Sequence, residues 1–222
     1  MASAKNKKEQ WLTAVFLLTE AALYTLILTG RWVVSAQYAA ACLCFAFVLL
    51  HLRQANYYIL GGLALTLCAD WFLVVQRPQE KLTAMWFFLG AQTVYALLLH
   101  RRVRSRNLLW ARIAVVVIAE AVTVLVLRGN TDPLALVSLA YYGMLAMNIV
   151  CGFQGYRKEP LMAWAMLLFF LCDTVVGLQV AADGYLTLPA WLYNAVFCGF
   201  PLDWAFYLPS QVMIALCGKK NK

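Results

Sequence analysis

The sequence is short of charge. Only 13% of its 222 residues are Asp, Glu, Lys or Arg, against roughly 25% in soluble domains. Hydrophobic residues make up 64%, and the mean hydropathy is +0.73. A chain of this length cannot hide so much apolar surface from water, which excludes a soluble globule and leaves lipid as the solvent. Other signals are missing too. The seven cysteines (Cys42, Cys44, Cys68, Cys151, Cys172, Cys198 and Cys217) are odd in number, have no C-x-x-C spacing and lie in or beside apolar stretches. They argue for packing rather than for a disulfide framework or a zinc site. His51 and His100 form no H-x-x-x-H pair and fall at the ends of apolar runs, so they read as interfacial anchors, and no metal is expected. No lysine sits within an apolar run, which removes a Schiff-base chromophore. Neither G-x-S-x-G nor a glycine-rich phosphate loop occurs, which removes serine-hydrolase and nucleotide chemistry.

What is present is a series of apolar runs. A hydrocarbon core about 30 Å thick needs about 20 residues at helical rise, and eight such runs appear: 11–29, 32–50, 57–76, 82–99, 108–127, 133–153, 161–181 and one ending at Cys217. Backbone groups in lipid must bond internally, so all are expected to be helices. The first run is too long for a signal-peptide core and should be retained as a span. The expected fold is therefore an all-α polytopic bundle of eight transmembrane helices over 11–218, with a basic N-terminal tail at 1–10 and a basic C-terminal tail at 219–222. Of the 18 Lys and Arg residues, four (Arg31, Arg77, Lys81 and Arg128) fall on one side and the rest on the other. That asymmetry predicts both termini in the cytoplasm. It also assigns the basic excess to topology, with no nucleic-acid partner expected. The arginines from Arg101 to Arg112 read as a contact with anionic lipid. The final stretch is broken by Pro189, Pro201, Asp203 and Pro209, which predicts a short interfacial or re-entrant piece followed by a helix from about Leu202, with a kinked long helix as the alternative.

An ionisable residue within a span costs several kcal/mol unless it is paired or hydrated. Four carboxylates are so placed: Glu20, Asp70, Glu120 and Asp173, on spans one, three, five and seven. Asp70 and Asp173 sit at matching depth, roughly 20 Å from the inner end. No lysine or arginine lies deep in a predicted span, so some of these acids must be protonated or hydrated, and two acids sharing a proton are suited to general acid chemistry. Glu20 and Glu120 are secondary candidates, read first as hydrogen-bonders between helices. They stand 100 positions apart and the aspartates 103 apart, which suggests two four-helix halves in a 4+4 internal repeat. Gln92 with Tyr95, and Tyr207 with Gln211, lie at helical spacing and should each share a face.

Four motifs carry a resemblance. Leu67-Cys68-Ala69-Asp70-Trp71 is similar to a G-D element in an apolar helix, with alanine for glycine. Phe87-Phe88-Leu89-Gly90-Ala91-Gln92-Thr93-Val94-Tyr95 resembles a phenylalanine-rich run ending in H-x-x-Y, with Gln92 for the histidine. Leu168-Phe169-Phe170-Leu171-Cys172-Asp173 resembles L-F-x-x-S-D, and the segment from Phe206 to Ile214 is similar to Y-Y-x-x-Q-x-L-I. Together they resemble the YhhN family of membrane lysoplasmalogenases. The resemblance implies hydrolysis of the vinyl-ether bond of a lysoplasmalogen to a fatty aldehyde and a glycerophospho-head group, with a lysophospholipid substrate, no cofactor and no metal. Asp70 and Asp173 would then be the catalytic pair, and Gln92, Tyr95, Tyr207 and Gln211 would position substrate or water. The expected location is an integral membrane protein of a bacterial cytoplasmic membrane, among membrane lipids, in an oligomeric state the sequence does not fix. A proton-coupled transporter or lipid carrier with buried carboxylates is the alternative, as is an inactive family member.

Overall fold

The computed structural model describes residues 2–51, 56–126, 132–155, 160–184 and 187–218. Arg53, Arg128, Arg157, Lys158, Lys219, Lys220 and Lys222, all part of the charge count, lie outside the described residues, as does the C-terminal tail at 219–222. The described residues form nine helices and no strand: α1 (Ala2–Leu28), α2 (Val33–Leu50), α3 (Tyr57–Asp70), α4 (Lys81–Val103), α5 (Arg106–Val126), α6 (Pro133–Gly155), α7 (Leu161–Gly184), α8 (Ala190–Val196) and α9 (Leu202–Cys217). Six helical stretches are long and apolar enough to cross a membrane: α1, α2, α4, α6, α7, and α3 taken with the helical turn that continues it to Val75. The expected N-terminal tail is not separate, because α1 already starts at Ala2. The proline-rich stretch resolves into the short α8 and a distinct helix starting at Leu202.

The core is assembled as lipid solvation demands. Large apolar side chains such as Leu18, Trp110, Leu125 and Trp191 point outward, while Gln37, Thr66, Asp70, Gln92, Asn148, Ser210 and Gln211 are buried. In a bilayer the outer shell has a solvent equal to itself, so polar groups are the ones that must find partners inside. Neighbouring helices close a circuit in which α2 packs on α3, α3 on α4, α4 on α6, α6 on α7, α7 on α9, and α9 back on α2. Helix α1 leans on α2 and α9 from outside, and α5 leans on α6.

Small residues set the closest approaches. Gly62 of α3 faces the ring of Tyr95 of α4, and a Cβ there would fall 2.2 Å from Tyr95 Cε1. Gly152 of α6 similarly admits the backbone of Ala163 of α7, whose Cα would lie 3.1 Å from an added Cβ. Helix α1 is held by a single stripe. Phe16 stacks on Phe47 of α2 at 4.1 Å, the Cys44 thiol donates to Glu20 Oε1 at 3.2 Å, and the Tyr24 hydroxyl donates to the Ala205 carbonyl of α9 at 3.0 Å. That carbonyl is free because its ordinary helical donor four residues on would be residue 209, a proline with no N–H. Pro209 thus lies inside α9 without orphaning an acceptor.

Gly62→Ala forces a methyl group into the Tyr95 ring, and overpacking of this kind costs about 1–3 kcal/mol. Thermal unfolding in detergent should show a lowered midpoint, and the loss caused by Gly62→Ala should shrink when it is measured in a Tyr95→Ala background, where the ring it strikes is absent.

Candidate active site

Asp70 is the last residue of α3 and is almost fully buried. Directly after it the helix widens into a π-helical turn over Trp71–Val75, closed by a bond from the Gln76 N–H to the Trp71 carbonyl at 2.9 Å. Such turns let a helix reorient its side chains without ending. The Asp70 carboxyl receives the Tyr207 hydroxyl of α9, at 2.8 Å from Oδ1 and 2.6 Å from Oδ2. Asp173 of α7, half-buried, receives the Tyr141 hydroxyl of α6 on Oδ2, and the Cys172 thiol also bonds its carboxyl. The two carboxyls, 103 positions apart in sequence, lie within electrostatic range of each other, and Tyr207 is within range of both.

An aromatic brace joins the two halves of this arrangement. The Tyr141 ring lies 5.9 Å from Phe88, Phe88 lies 6.0 Å from Phe169, and Phe169 lies 5.4 Å from Tyr207. Trp204 adds an edge-on contact with Tyr207 at 4.8 Å. These contacts tie α4, α6, α7 and α9 to one another around the two acids, and aromatic pairs of this geometry favour a fixed mutual orientation. Each aspartate is therefore held by a tyrosine whose own ring is wedged in place.

The remaining residues expected at the site divide. Tyr207 is at Asp70. Gln211, one turn further on, is buried, and its amide donates to Ser210 Oγ at 3.4 Å. Tyr95 is fully buried against Gly62 with its hydroxyl beside Thr66. Gln92 belongs to a different network: the Asn148 amide of α6 donates to its Oε1 at 2.9 Å and to its carbonyl at 3.0 Å. Glu20 contacts Cys44 on α2, and Glu120 is half-buried on α5 beside Ala140 of α6.

Two expectations need correction. Arg112, taken as part of a lipid-facing arginine run, is buried at 7% exposure and donates to Asn148 Oδ1 at 3.0 Å and to the Ala96 carbonyl at 3.4 Å. It is the sole buried residue among the described side chains of α5, so it pins that peripheral helix against α4 and α6. The guanidinium meets an amide oxygen and a carbonyl from neighbouring helices, while its Nε has no hydrogen-bond partner among the described residues. His51 is likewise buried instead of interfacial, its Nδ1 2.8 Å from the Phe47 carbonyl and its ring against Phe47. The residues that sequence reasoning overlooked are Tyr141, Asn148 and Arg112. A signal did exist for the first two: Tyr141, Leu145 and Asn148 fall at helical spacing in an otherwise apolar run and are all buried. Among the described residues no group of three His, Cys, Asp or Glu side chains is placed to hold a metal.

Residues 30–217 match the model of the YhhN family. No curated protein and no solved structure gives a significant match.

Replacing Asn148 by Leu strands the Arg112 guanidinium and leaves Gln92 without its donor, which should cost about 2–4 kcal/mol. Chemical unfolding in mild detergent reads this loss, and Arg112→Met added to Asn148→Leu should restore at least half of it, because the buried charge is then gone.

Proposed function

Because the chain belongs to the YhhN family, we propose that it is a membrane hydrolase that cleaves the vinyl-ether bond of lysoplasmalogens, with Asp70 and Asp173 as the acid–base pair. What supports this reading is that each of the two aspartates is gripped by a tyrosine hydroxyl and that the two tyrosines are linked through the Phe88 and Phe169 rings. Vinyl-ether hydrolysis starts with transfer of a proton from a neutral acid to the outer vinyl carbon. The oxocarbenium ion so formed takes up water at the carbon beside the ether oxygen, and the water gives its proton to a carboxylate. The resulting hemiacetal collapses to an aldehyde and the glycerol hydroxyl of the head-group fragment. One neutral acid and one carboxylate suffice, a division of labour familiar from glycosidases. No cofactor enters any step.

The two tyrosines have a definite part in this scheme. A hydroxyl donated to a carboxylate stabilises its charge and fixes its direction, so Tyr207 and Tyr141 would poise the pair while Phe88 and Phe169 hold the tyrosines. Tyr207 thus keeps the positioning role expected of it, and Tyr141 joins it. Gln92 serves the Arg112 network through Asn148, which donates to its side-chain and main-chain oxygens. A single-chain amphiphile suits the surroundings, since its tail stays in apolar contact while the reacting bond meets the acids.

We also propose that α5 and α9 complete the six long apolar helices to eight spans, with both ends cytoplasmic. The placement of basic residues supports this. A 4+4 repeat fits the packing order, in which α1 and α5 are each the outer helix of their half and Asp70 and Asp173 occupy corresponding helices.

Asp70→Asn and Asp173→Asn should each lower aldehyde release from a purified lysoplasmalogen by at least about 100-fold, the scale of a lost general acid or base, while the protein keeps its unfolding midpoint. Full aldehyde release by either variant overturns the paired mechanism. Tyr207→Phe and Tyr141→Phe should cost about tenfold each. Proton-dependent uptake of the lipid into proteoliposomes without product would favour a carrier instead. Reporter fusions at the two ends should both report the cytoplasmic side, and a C-terminal fusion reporting the outer side would remove the eighth span.

A further inference from the structure

Asp70 and the rings that brace the acid pair do not lie at mid-height in the bundle. Asp70 is thirteen residues from the start of α3 but five from Val75, where the π-helical continuation stops. Tyr207 is five residues into α9, Phe88 seven into α4 and Tyr141 eight into α6. At helical rise these groups stand about 7–12 Å from one end of their helices and about 15–23 Å from the other. The near end carries the 76–80 connection and α8, and the topology proposed above makes it the outer side. Helix α7 runs on past this level: eleven residues of it follow Asp173, and its Gln179 amide donates to the Val196 carbonyl of α8 at 3.4 Å.

The interior face of α7 changes character at Asp173. Met162, Met166 and Phe169, on that face, are sealed at 0% exposure. Asp173 is partly exposed, and Gly177, four positions on and therefore on the same side of the helix, is exposed. A Cβ at Gly177 would meet no atom within 4 Å. Tyr141, which bonds the Asp173 carboxyl, is itself 2% exposed and closes the α6 side. The accessible part of Asp173 thus lies toward Gly177. Across from α7, the contact between Phe169 and Tyr207 sets the level of α9. Asp203, one turn nearer the outer end than Tyr207, is again partly exposed. Closed packing beneath the acids gives way to open space above them.

We propose that a single-chain lysophospholipid of the outer leaflet reaches the acid pair through a mouth beside Gly177, with its head group at the outer end of the bundle. Depth decides between the leaflets. The head-group layer on each side of a bilayer is about 5–8 Å thick, and the vinyl ether of a lysoplasmalogen lies just beneath it. A lipid standing in the outer leaflet therefore presents that bond at the level of the acids, whereas one from the inner leaflet would have to carry its head group most of the way across the hydrocarbon. The glycerophospho fragment then leaves to the outer aqueous side, and the aldehyde stays in the leaflet. The identity of the substrate rests on the hydrolase reading above; the position of the mouth rests on α7 and α9.

The test uses the full chain in liposomes, with Gly177→Cys labelled by a membrane-impermeant maleimide and the label mapped to residue 177 by mass spectrometry. Labelling is expected from the side opposite the two termini. A non-hydrolysable alkyl-ether lysophospholipid at about ten times its Kd should slow it about tenfold, as mass action requires of a ligand that covers the residue. Labelling from the side of the termini alone overturns the proposal, as does labelling that the analogue leaves unchanged. Gly177→Trp places a bulky group whose Cβ meets open space and replaces a poor helix former. Its unfolding midpoint should hold while kcat/KM for aldehyde release falls at least about tenfold, and an unchanged kcat/KM overturns the mouth. The labelling readout needs no turnover. Protection of residue 177 without aldehyde release from a lysoplasmalogen therefore refutes the hydrolase reading and leaves the mouth, and aldehyde release with residue 177 unprotected refutes the mouth alone.

Discussion

A carboxyl group inside a lipid-solvated bundle has to find its hydrogen bonds within the protein, and this constraint organises the centre of the molecule. Asp70 of α3 is met by a tyrosine from α9, distant in sequence, and Asp173 of α7 by one from α6, the helix that precedes it. Without these hydroxyls two acids would face one another in a medium that cannot screen them. With them, four helices are committed to one mutual arrangement. The Phe88 and Phe169 rings make it rigid, since neither tyrosine can swing away without breaking an aromatic contact. The contacts that orient the two acids are therefore also contacts that hold the bundle.

The same rule explains Arg112 and Asn148. A guanidinium buried among helices needs partners for its donors, and here an amide oxygen and a main-chain carbonyl meet its two terminal nitrogens. The result is a second polar node, on the α4, α5 and α6 side, that carries Gln92 with it. Helix α5 has little else buried, so its attachment depends on that node. The bundle thus has two polar anchors of different character: an acidic one joined through tyrosines and a basic one joined through amides.

The helical architecture and the two aspartates were legible in the sequence because both are local signals. An apolar run of about 20 residues can only be a helix in lipid, and an acid within it stands out against its neighbours. The partners were less legible. Tyr207 was marked by its motif, whereas Tyr141 was marked only by its helical spacing with Asn148, and its bond to Asp173 depends on how α6 and α7 pack. Arg112 was misread for a related reason. It follows Arg101, Arg102, Arg104 and Arg106 within a few residues, so in sequence it looks like one more interfacial cation. Its burial is decided by Asn148, which lies 36 positions away. The π-helical turn after Asp70 left no mark in composition at all. Its residues, Trp71 to Val75, are ordinary helix and strand formers.

Pro209 links the acid-bearing centre of the bundle to the packing of α1. A proline within a helix normally removes a donor and leaves a carbonyl exposed, a defect that lipid cannot repair. In α9 the defect is placed so that the released Ala205 carbonyl meets Tyr24 of α1, while Tyr207, two residues before the proline, meets Asp70. One helix turn thereby serves both sides of α9: inward it presents the hydroxyl that orders the acid pair, and outward it presents the proline ring and Leu208 to a groove against α1 that Glu20 also lines. An unbroken helix would satisfy its own carbonyl at residue 205, and Tyr24 would lose its acceptor on α9. The break is therefore part of what holds α1 against the bundle and shapes the groove beside it.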